Sequence, residues 1–306
     1  MLHRTTAQQT SPLGVNAHLS ITPAFLDLLL CNLRKDGYAF LSLDELLDAS
    51  GKGRLSKSIA ITADDGWLDN FTEGLPVFEA HDAPFTVYVA PGLTSGTVEP
   101  WWELIEEYVA NQDVVRVGSE SSGYDLPCRD RREKVRAAIR LAHWLTHEVA
   151  EEDQQQELRR IGTLPDDAAS RQRFMNWDQV RLLSGHRLAS IGAHTVHHYN
   201  LRRLSPDAAR NEMARSADII EDETGTRPRH FAYPYGSAQA ADDREYALAQ
   251  ELGFASAVTT RHGVLRGDVT SRLYRLPRIS INGLYQQLPY VRSLLSGLTT
   301  PPSRLK

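Results

Sequence analysis

The sequence predicts an α/β fold in which a parallel β-sheet is covered by helices. Short apolar segments of strand character alternate along the chain with longer segments of helical periodicity, the order that βαβ units require. The 306 residues are 41% hydrophobic and 24% charged, which is a globular balance with enough apolar material for one sizeable core.

Each element has its own signal. Thr22-Pro23 opens the first helix, because Thr can cap and Pro suits the first turn. Phe25, Leu26, Leu29, Leu30 and Leu33 then recur at helical spacing until Gly37. Residues 38–41 read as a short strand, and Ser42-Leu43-Asp44-Glu45 is a capping-box pattern that opens a helix through Leu47. Residues 58–62 form a buried strand that stops at Ala63-Asp64-Asp65-Gly66, and a helical stretch through Phe78 leads to a strand at 84–89. From Trp101 to about Gln172 charged helices dominate (103–109, 131–148 and 152–161). Strand signals resume afterwards, so this stretch reads as a helical insertion at about 101–172 within a single domain spanning 1–306. Asn176 can cap a helix over 177–183, residues 188–192 form a strand running into His194, and Ser205-Pro206 starts a helix to Glu223. A strand at 229–233, a helix at 242–252, strands at 255–259 and 273–281 and a short C-terminal helix complete the order. Six or seven strand-bearing units favour a barrel over an open sheet.

Several function classes drop out on composition. A formal charge of −5 and the lack of any Lys/Arg-rich run argue against nucleic acid as a partner. Cys31 and Cys128 are far apart and form no CxxC pair, as expected of simple thiols in a reducing compartment. The N-terminus shows no basic-then-apolar signal pattern. Its longest apolar stretch, 24–30, is interrupted by Asp27 and too short to cross a bilayer, so the expectation is a cytoplasmic protein without a membrane span.

Three segments carry chemistry, and each follows a strand, where parallel α/β folds build their sites. In Thr62-Ala63-Asp64-Asp65-Gly66, two adjacent carboxylates after a buried strand are costly unless paired, solvated or bound to a metal. Taken alone, the Asp-Gly pair is better read as an exposed turn. In Gly192-Ala193-His194-Thr195-Val196-His197-His198, the histidines at 194 and 198 fall on one side of a single helical turn. Alone they are ordinary polar surface, but with one carboxylate from the first segment they complete a two-His, one-carboxylate set that leaves coordination positions open. The third segment, Phe231-Ala232-Tyr233-Pro234-Tyr235-Gly236, is an apolar strand ending in a rigid turn.

In their order these segments resemble the motifs of the polysaccharide deacetylase family, the NodB-homology proteins of carbohydrate esterase family 4. Thr62-Ala63-Asp64-Asp65-Gly66 is similar to the family's Thr-Phe-Asp-Asp-Gly motif. His194-Thr195-Val196-His197-His198 is similar to its His-Ser/Thr-x-x-His motif, and Tyr233-Pro234-Tyr235-Gly236 to the end of its Arg-Pro-Pro-Tyr-Gly motif. The resemblance implies a distorted (β/α) barrel of about seven parallel strands that deacetylates N-acetylated carbohydrate. It further implies that Asp65, His194 and His198 bind one divalent metal, zinc first among candidates, with His197 turned away. Asp64 would be the general base and Tyr235 would offer its backbone N–H to the oxyanion.

The sequence also departs from the family pattern. Ala232 and Tyr233 stand where many members have the Arg that orients the base, with Arg229 as a possible substitute, and Tyr199 replaces a Pro. The late Leu-x-His motif, source of the general acid, reads Leu276-Pro277-Arg278, and Arg is a poor proton donor. Its charge could still orient a neighbouring carboxylate or stabilise the oxyanion. His262, at the end of a strand, is then the expected acid in preference to His230, which lies inside one. These changes resemble the variant pattern of exopolysaccharide-associated members. Among Trp67, Trp101, Trp102, Tyr199 and Tyr233, two at most are expected to line a sugar groove. Two other readings compete: a hydrolase of another C–N bond, such as a cyclic amide or formamide, and a carbohydrate-binding protein whose catalysis has lapsed. Retention of Asp64 weighs against the second, since a binder needs no base.

Overall fold

Strands that are apolar on both sides need cover on both sides, and this requirement shapes the molecule. In the computed structural model, which describes residues 1–118, 122–162, 172–267 and 269–300, six strands make one parallel sheet. These are β1 (Ile61–Ala63), β2 (Phe85–Val89), β3 (Ala189–Ala193), β4 (His230–Ala232), β5 (Ser256–His262) and β6 (Leu276–Arg278), and neighbours in sequence are neighbours in the sheet. β1, β2 and β4 are buried at every residue.

The sheet curls until the N-terminal residues bridge its two edges. The Leu2 N–H donates to Thr62 O (2.8 Å) and the Leu2 carbonyl accepts from Asp64 N–H (3.1 Å) beside β1. Met1 donates to Ile279 O (2.8 Å) and accepts from Ile281 N–H (3.0 Å) just past β6. The main sheet thus has six strands where about seven were expected. The strand expected at 38–41 is real but lies apart, Ala39–Phe40 pairing with Ser58–Ile59. Ala39 is exposed, and Phe40 and Ile59 only flank the main core, so this pair sits beside the barrel and not within its wall.

The covering helices follow from their sequences. α1 (Pro23–Lys35) is capped by the Thr22 side chain, which accepts from Phe25 N–H, and buries Phe25, Leu26, Leu29, Leu30 and Leu33. Each such side chain contributes roughly 1.5–3 kcal/mol. α2 (Leu43–Gly51) carries the full Ser42/Glu45 capping box. α3 (Leu75–Ala80) crosses from β1 to β2 and puts Phe78 in the same core.

Between β2 and β3 stands the insertion, with α4 (Trp101–Ala110), α5 (Arg131–His147) and α6 (Gln154–Arg160) around a core of its own that includes Ile105, Val109, Leu141, Leu145 and Leu158. It is not wholly helical. Val114–Val117 and Tyr124–Pro127 form an antiparallel hairpin whose Val115 and Val117 point inward while Val114 and Arg116 face out. Residues 163–171 of the expected insertion lie outside the described residues. Then come α7 (Trp177–Ser184), α8 (Pro206–Thr224), α9 (Asp243–Glu251) and α10 (Leu288–Leu295). Among the described residues, no helix is long and apolar enough to cross a membrane.

Two buried carboxylates of α4 fasten the insertion to the N-terminal segment. Glu106 accepts from Ser11 Oγ (2.6 and 2.8 Å), from the N–H groups of Leu13 (2.7 Å), Val15 (3.1 Å) and Asn16 (3.1 Å), and from Asn16 Nδ2 (2.8 Å). Glu103 pairs with Arg4 (2.6 Å) and Arg173 (2.7 Å). Because each orphaned buried donor costs about 1–3 kcal/mol, Glu106→Ala is expected to lower unfolding free energy by at least about 2 kcal/mol. Urea denaturation measures this, and an unchanged midpoint would mean that water takes over the carboxylate's work.

Candidate metal centre

The loops that leave the C-terminal ends of β1, β3 and β4 meet at one mouth of the barrel. Asp64, Asp65 and His194 are only 2%, 4% and 2% exposed, so each needs a partner in the fold. His194 Nε2 and His198 Nε2 both approach Asp65 Oδ1, at 3.3 and 3.4 Å. One potential ligand atom from each of the three residues lies within 4.8 Å of the others. The surroundings fix how these atoms are presented. His194 Nδ1 lies 2.7 Å from Ala232 O, which keeps its proton on that nitrogen and turns the Nε2 lone pair to the cluster. Asp65 Oδ2 accepts from Trp67 Nε1 at 3.0 Å, leaving Oδ1 to face the histidines. Burial pushes the Asp65 carboxyl up, but hydrogen bonds from His194 and His198 outweigh it and hold it well below the usual range. A carboxylate that stays ionised beside two imidazole nitrogens fits a divalent metal of the zinc type.

Backbone conformation at this mouth is unusual. Asp65 (φ 75°), Thr195 (57°), His198 (58°) and Tyr235 (62°) all adopt left-handed φ. Four of the six described non-glycine residues in that region therefore gather here, the kind of strain that tertiary contacts must sustain. After Tyr235 only glycine serves, because a Cβ on Gly236 would sit 2.5 Å from Thr260 N.

Asp64 faces a different partner. Arg278, at the end of β6, grips it with two hydrogen bonds, Nη1 to Oδ1 (2.7 Å) and Nη2 to Oδ2 (2.6 Å). Arg278 also donates through Nη1 to Thr62 Oγ1 (3.1 Å) and through Nε to Thr259 O (2.9 Å). Burial raises the Asp64 pKa, yet the charge and hydrogen bonds of Arg278 outweigh it and keep the carboxyl below its ordinary value. An arginine that grips Asp64 is thus present after all, from β6, at the position where a proton-donating histidine was sought. Arg229 takes no part, because it is exposed and pairs with Asp44 (3.2 Å).

The polysaccharide deacetylase family profile matches residues 51–160 and 145–257, which carry both aspartates, both histidines and Tyr235. The chain belongs to the polysaccharide deacetylase family. It is a carbohydrate deacetylase. Solved structures share the fold: the deacetylase PplD of Streptococcus pyogenes in complex with acetate (20% identity, TM-score 0.62, covering 97% of this chain and 95% of that one), a de-N-acetylase from Aggregatibacter actinomycetemcomitans (15%, 0.59, 96% and 97%) and IcaB from Ammonifex degensii (18%, 0.55, 90% and 89%). No curated protein sequence matches the chain.

The other candidate residues of the deacetylase divide sharply. His197 lies against Glu212, whose carboxylate accepts from its Nδ1 (2.6 Å) and from the N–H groups of Val196 (3.0 Å) and His197 (2.9 Å). It thus braces the loop from outside the cluster. The Tyr235 carbonyl accepts from Thr260 Oγ1 (2.7 Å) and its N–H has no partner among the described residues, so the N–H remains available. His262 is not brought to the cluster: its Nε2 contacts Thr299 Oγ1 (2.7 Å), and no described contact joins it to Asp64 or Asp65. His230 turns its Nδ1 to Ser256 Oγ (2.9 Å) and its Nε2 toward Asp44 (3.4 Å). His3 was not foreseen. It stands beside β1 in the bridging N-terminal segment; burial, helped by the charges of Arg278 and His194, holds its imidazole below the usual pKa although Asp65 and Asp64 pull it up. Of the aromatics, Trp67 and Tyr233 are fully buried. Trp101, from the insertion, stacks on Tyr235 (6.4 Å) and donates to its OH (3.1 Å), and the Trp102 ring lies 4.9 Å from that of His198.

Without Arg278, burial would be opposed only by the smaller influences of His194 and His3, and the Asp64 pKa would rise. Arg278→Met is therefore expected to move the acidic limb of kcat/KM to higher pH by about one to three units. An unmoved limb in the pH–rate profile would mean that a group other than Asp64 takes the proton.

Proposed function

We propose that this deacetylase removes the N-acetyl group from an amino sugar of a poly- or oligosaccharide, with one divalent metal, zinc by preference, held by Asp65, His194 and His198. The observation that carries this reading is the ionised Asp64, clamped by Arg278, directly beside a two-His, one-Asp donor set. The metal supplies Lewis acidity, which acidifies water and polarises an acyl oxygen. Asp64 accepts the proton of the water that attacks the acetyl carbonyl. The Tyr235 N–H donates to the oxygen that gains negative charge, where a preorganised donor does most good. As the C–N bond breaks, the departing nitrogen needs a proton. We assign that step to His3 in preference to His262: held neutral by burial, His3 would first take up the proton that Asp64 gains from the water and then pass it to the nitrogen, and it has both site carboxylates within electrostatic reach while His262 is engaged with Thr299. Trp101 and Trp102, half-exposed at the mouth, offer faces on which a sugar ring can stack. That a fold neighbour was solved with acetate and another is a de-N-acetylase supports the choice of acyl group and bond.

The direct test is acetate release from N-acetylglucosamine oligomers, with and without added zinc. Release that depends on metal and falls on the order of 10²–10⁴-fold in Asp64→Asn is expected. A protein that binds the oligomer and metal but releases nothing would be a lapsed enzyme, and one that opens cyclic amides instead would be a different C–N hydrolase.

The two histidines are separated by leaving group. His3→Gln should lose activity steeply on an acetamide with a poor amine leaving group and little on nitrophenyl acetate, whose phenolate departs unaided. His262→Gln should leave both substrates unaffected. The reverse pattern would restore His262 as the acid.

A further inference from the structure

Away from the catalytic mouth lies a second cavity of about 400 Å³, within the range of small-molecule sites. It runs between α1, α2 and α10 on one side and the β1 and β6 edges on the other, and neither Asp65, His194 nor His198 lines it. Its wall is aliphatic: Leu26, Leu30 and Leu33 of α1, Leu46 of α2, Leu276 of β6 and Val291 of α10 all contribute, and all are buried. Of the cationic side chains that line it, Lys57 and Arg266 are exposed, which places them at the opening, while Arg278 is buried and already paired with Asp64. Among the described residues no acidic side chain lines the cavity, although the chain as a whole carries a formal charge of −5.

The two cations are held but not neutralised. Lys57 Nζ donates to the Asp36 carbonyl (2.8 Å) and Arg266 Nη2 to the Gly297 carbonyl (3.3 Å). Asp36, the carboxylate that senses Lys57, is occupied by Arg292 through two hydrogen bonds (2.6 and 3.0 Å). Neither Lys57 nor Arg266 forms an ion pair with a described residue. An interior of hydrocarbon under an unneutralised positive rim is complementary to one kind of molecule, a flexible aliphatic chain ending in an anion. Polar ligands find few partners inside, and cationic amphiphiles meet like charge at the entrance.

We propose that this cavity binds a long-chain carboxylate, with the alkyl chain among the leucines and the carboxylate at Lys57 and Arg266. At its inner end the cavity is walled by Thr62 and Arg278, the residues that hold Asp64, so an occupant lies directly behind the catalytic base.

The test is calorimetric titration of the full chain with octanoate, decanoate and dodecanoate below their micelle concentrations. One saturable site is expected, each added methylene tightening binding about fourfold. Dodecyltrimethylammonium should not compete. The double variant Lys57→Glu/Arg266→Glu, altered only at exposed positions, should bind dodecanoate at least about tenfold more weakly and dodecanol as before. Leu295→Trp, from half-buried α10 surface lining the cavity, should fill it and abolish binding while leaving acetate release unchanged. No saturable heat with dodecanoate, affinity indifferent to chain length, or equal binding of the cationic amphiphile would each overturn the proposal.

Discussion

A carboxylate and a guanidinium can leave water together only if each satisfies the other. The Asp64–Arg278 pair is the place in this protein where that condition governs most of the rest. It joins the end of β1 to the end of β6, residues 214 apart in sequence, across the gap where the curled sheet meets itself. Arg278 also donates to Thr62 of β1 and to the carbonyl of Thr259 on β5, so its head group cannot swing without breaking contacts to two other strands. The contact that closes the curled sheet at this seam therefore also holds Asp64 ionised and aimed. Stability and the proposed proton transfer draw here on the same two side chains, and loss of either partner leaves the other as a buried, unanswered charge.

The insertion reaches the metal centre by a different chain of contacts. Glu103 of α4 grips Arg4, and the Arg4 guanidinium lies 4.3 Å above the Trp67 ring. The Trp67 N–H in turn holds Asp65 Oδ2. Phe174, just after the insertion, packs on the other side of that indole with its ring centroid 4.3 Å away. From the same helix, Trp101 reaches Tyr235. Thus α4 reaches Asp65 through Arg4 and Trp67, and touches directly the residue that would meet the oxyanion. A segment that looks in sequence like an appendage is built into the site.

What could be read in advance follows from how far apart the cooperating residues are. Asp64, Asp65, His194 and His198 sit in short segments directly after apolar strands, and a strand end fixes where its next residues go. Their meeting was legible from order alone. The role of Arg278 was only half legible: its type ruled out proton donation, but which carboxylate it would face depends on how the sheet closes. His3 was invisible because the first few residues carry no periodic signal, and their placement between β1 and β6 is decided by unpaired strand edges 200 residues apart in the chain. His262 misled for the same reason in reverse. Being at the end of a strand is necessary for a site residue but does not say which way the ring turns, and here it turns to Thr299. The hairpin at 114–127 was lost because its period-2 burial is brief and lies among charged helices.

The left-handed backbone at Asp65 and His198 has a further meaning for how the molecule tolerates change. At both positions the shape of the chain favours glycine or asparagine, while a bound metal would demand a carboxylate and an imidazole. Relief of such a conformation is worth on the order of 1 kcal/mol per residue. Selection for thermal robustness alone would thus erode this mouth first, trading each donor for a more comfortable backbone. The mouth is a local maximum of discomfort that the surrounding fold must keep in place, and a drift toward glycine at these two positions would mark a descendant that has kept the barrel and given up the metal.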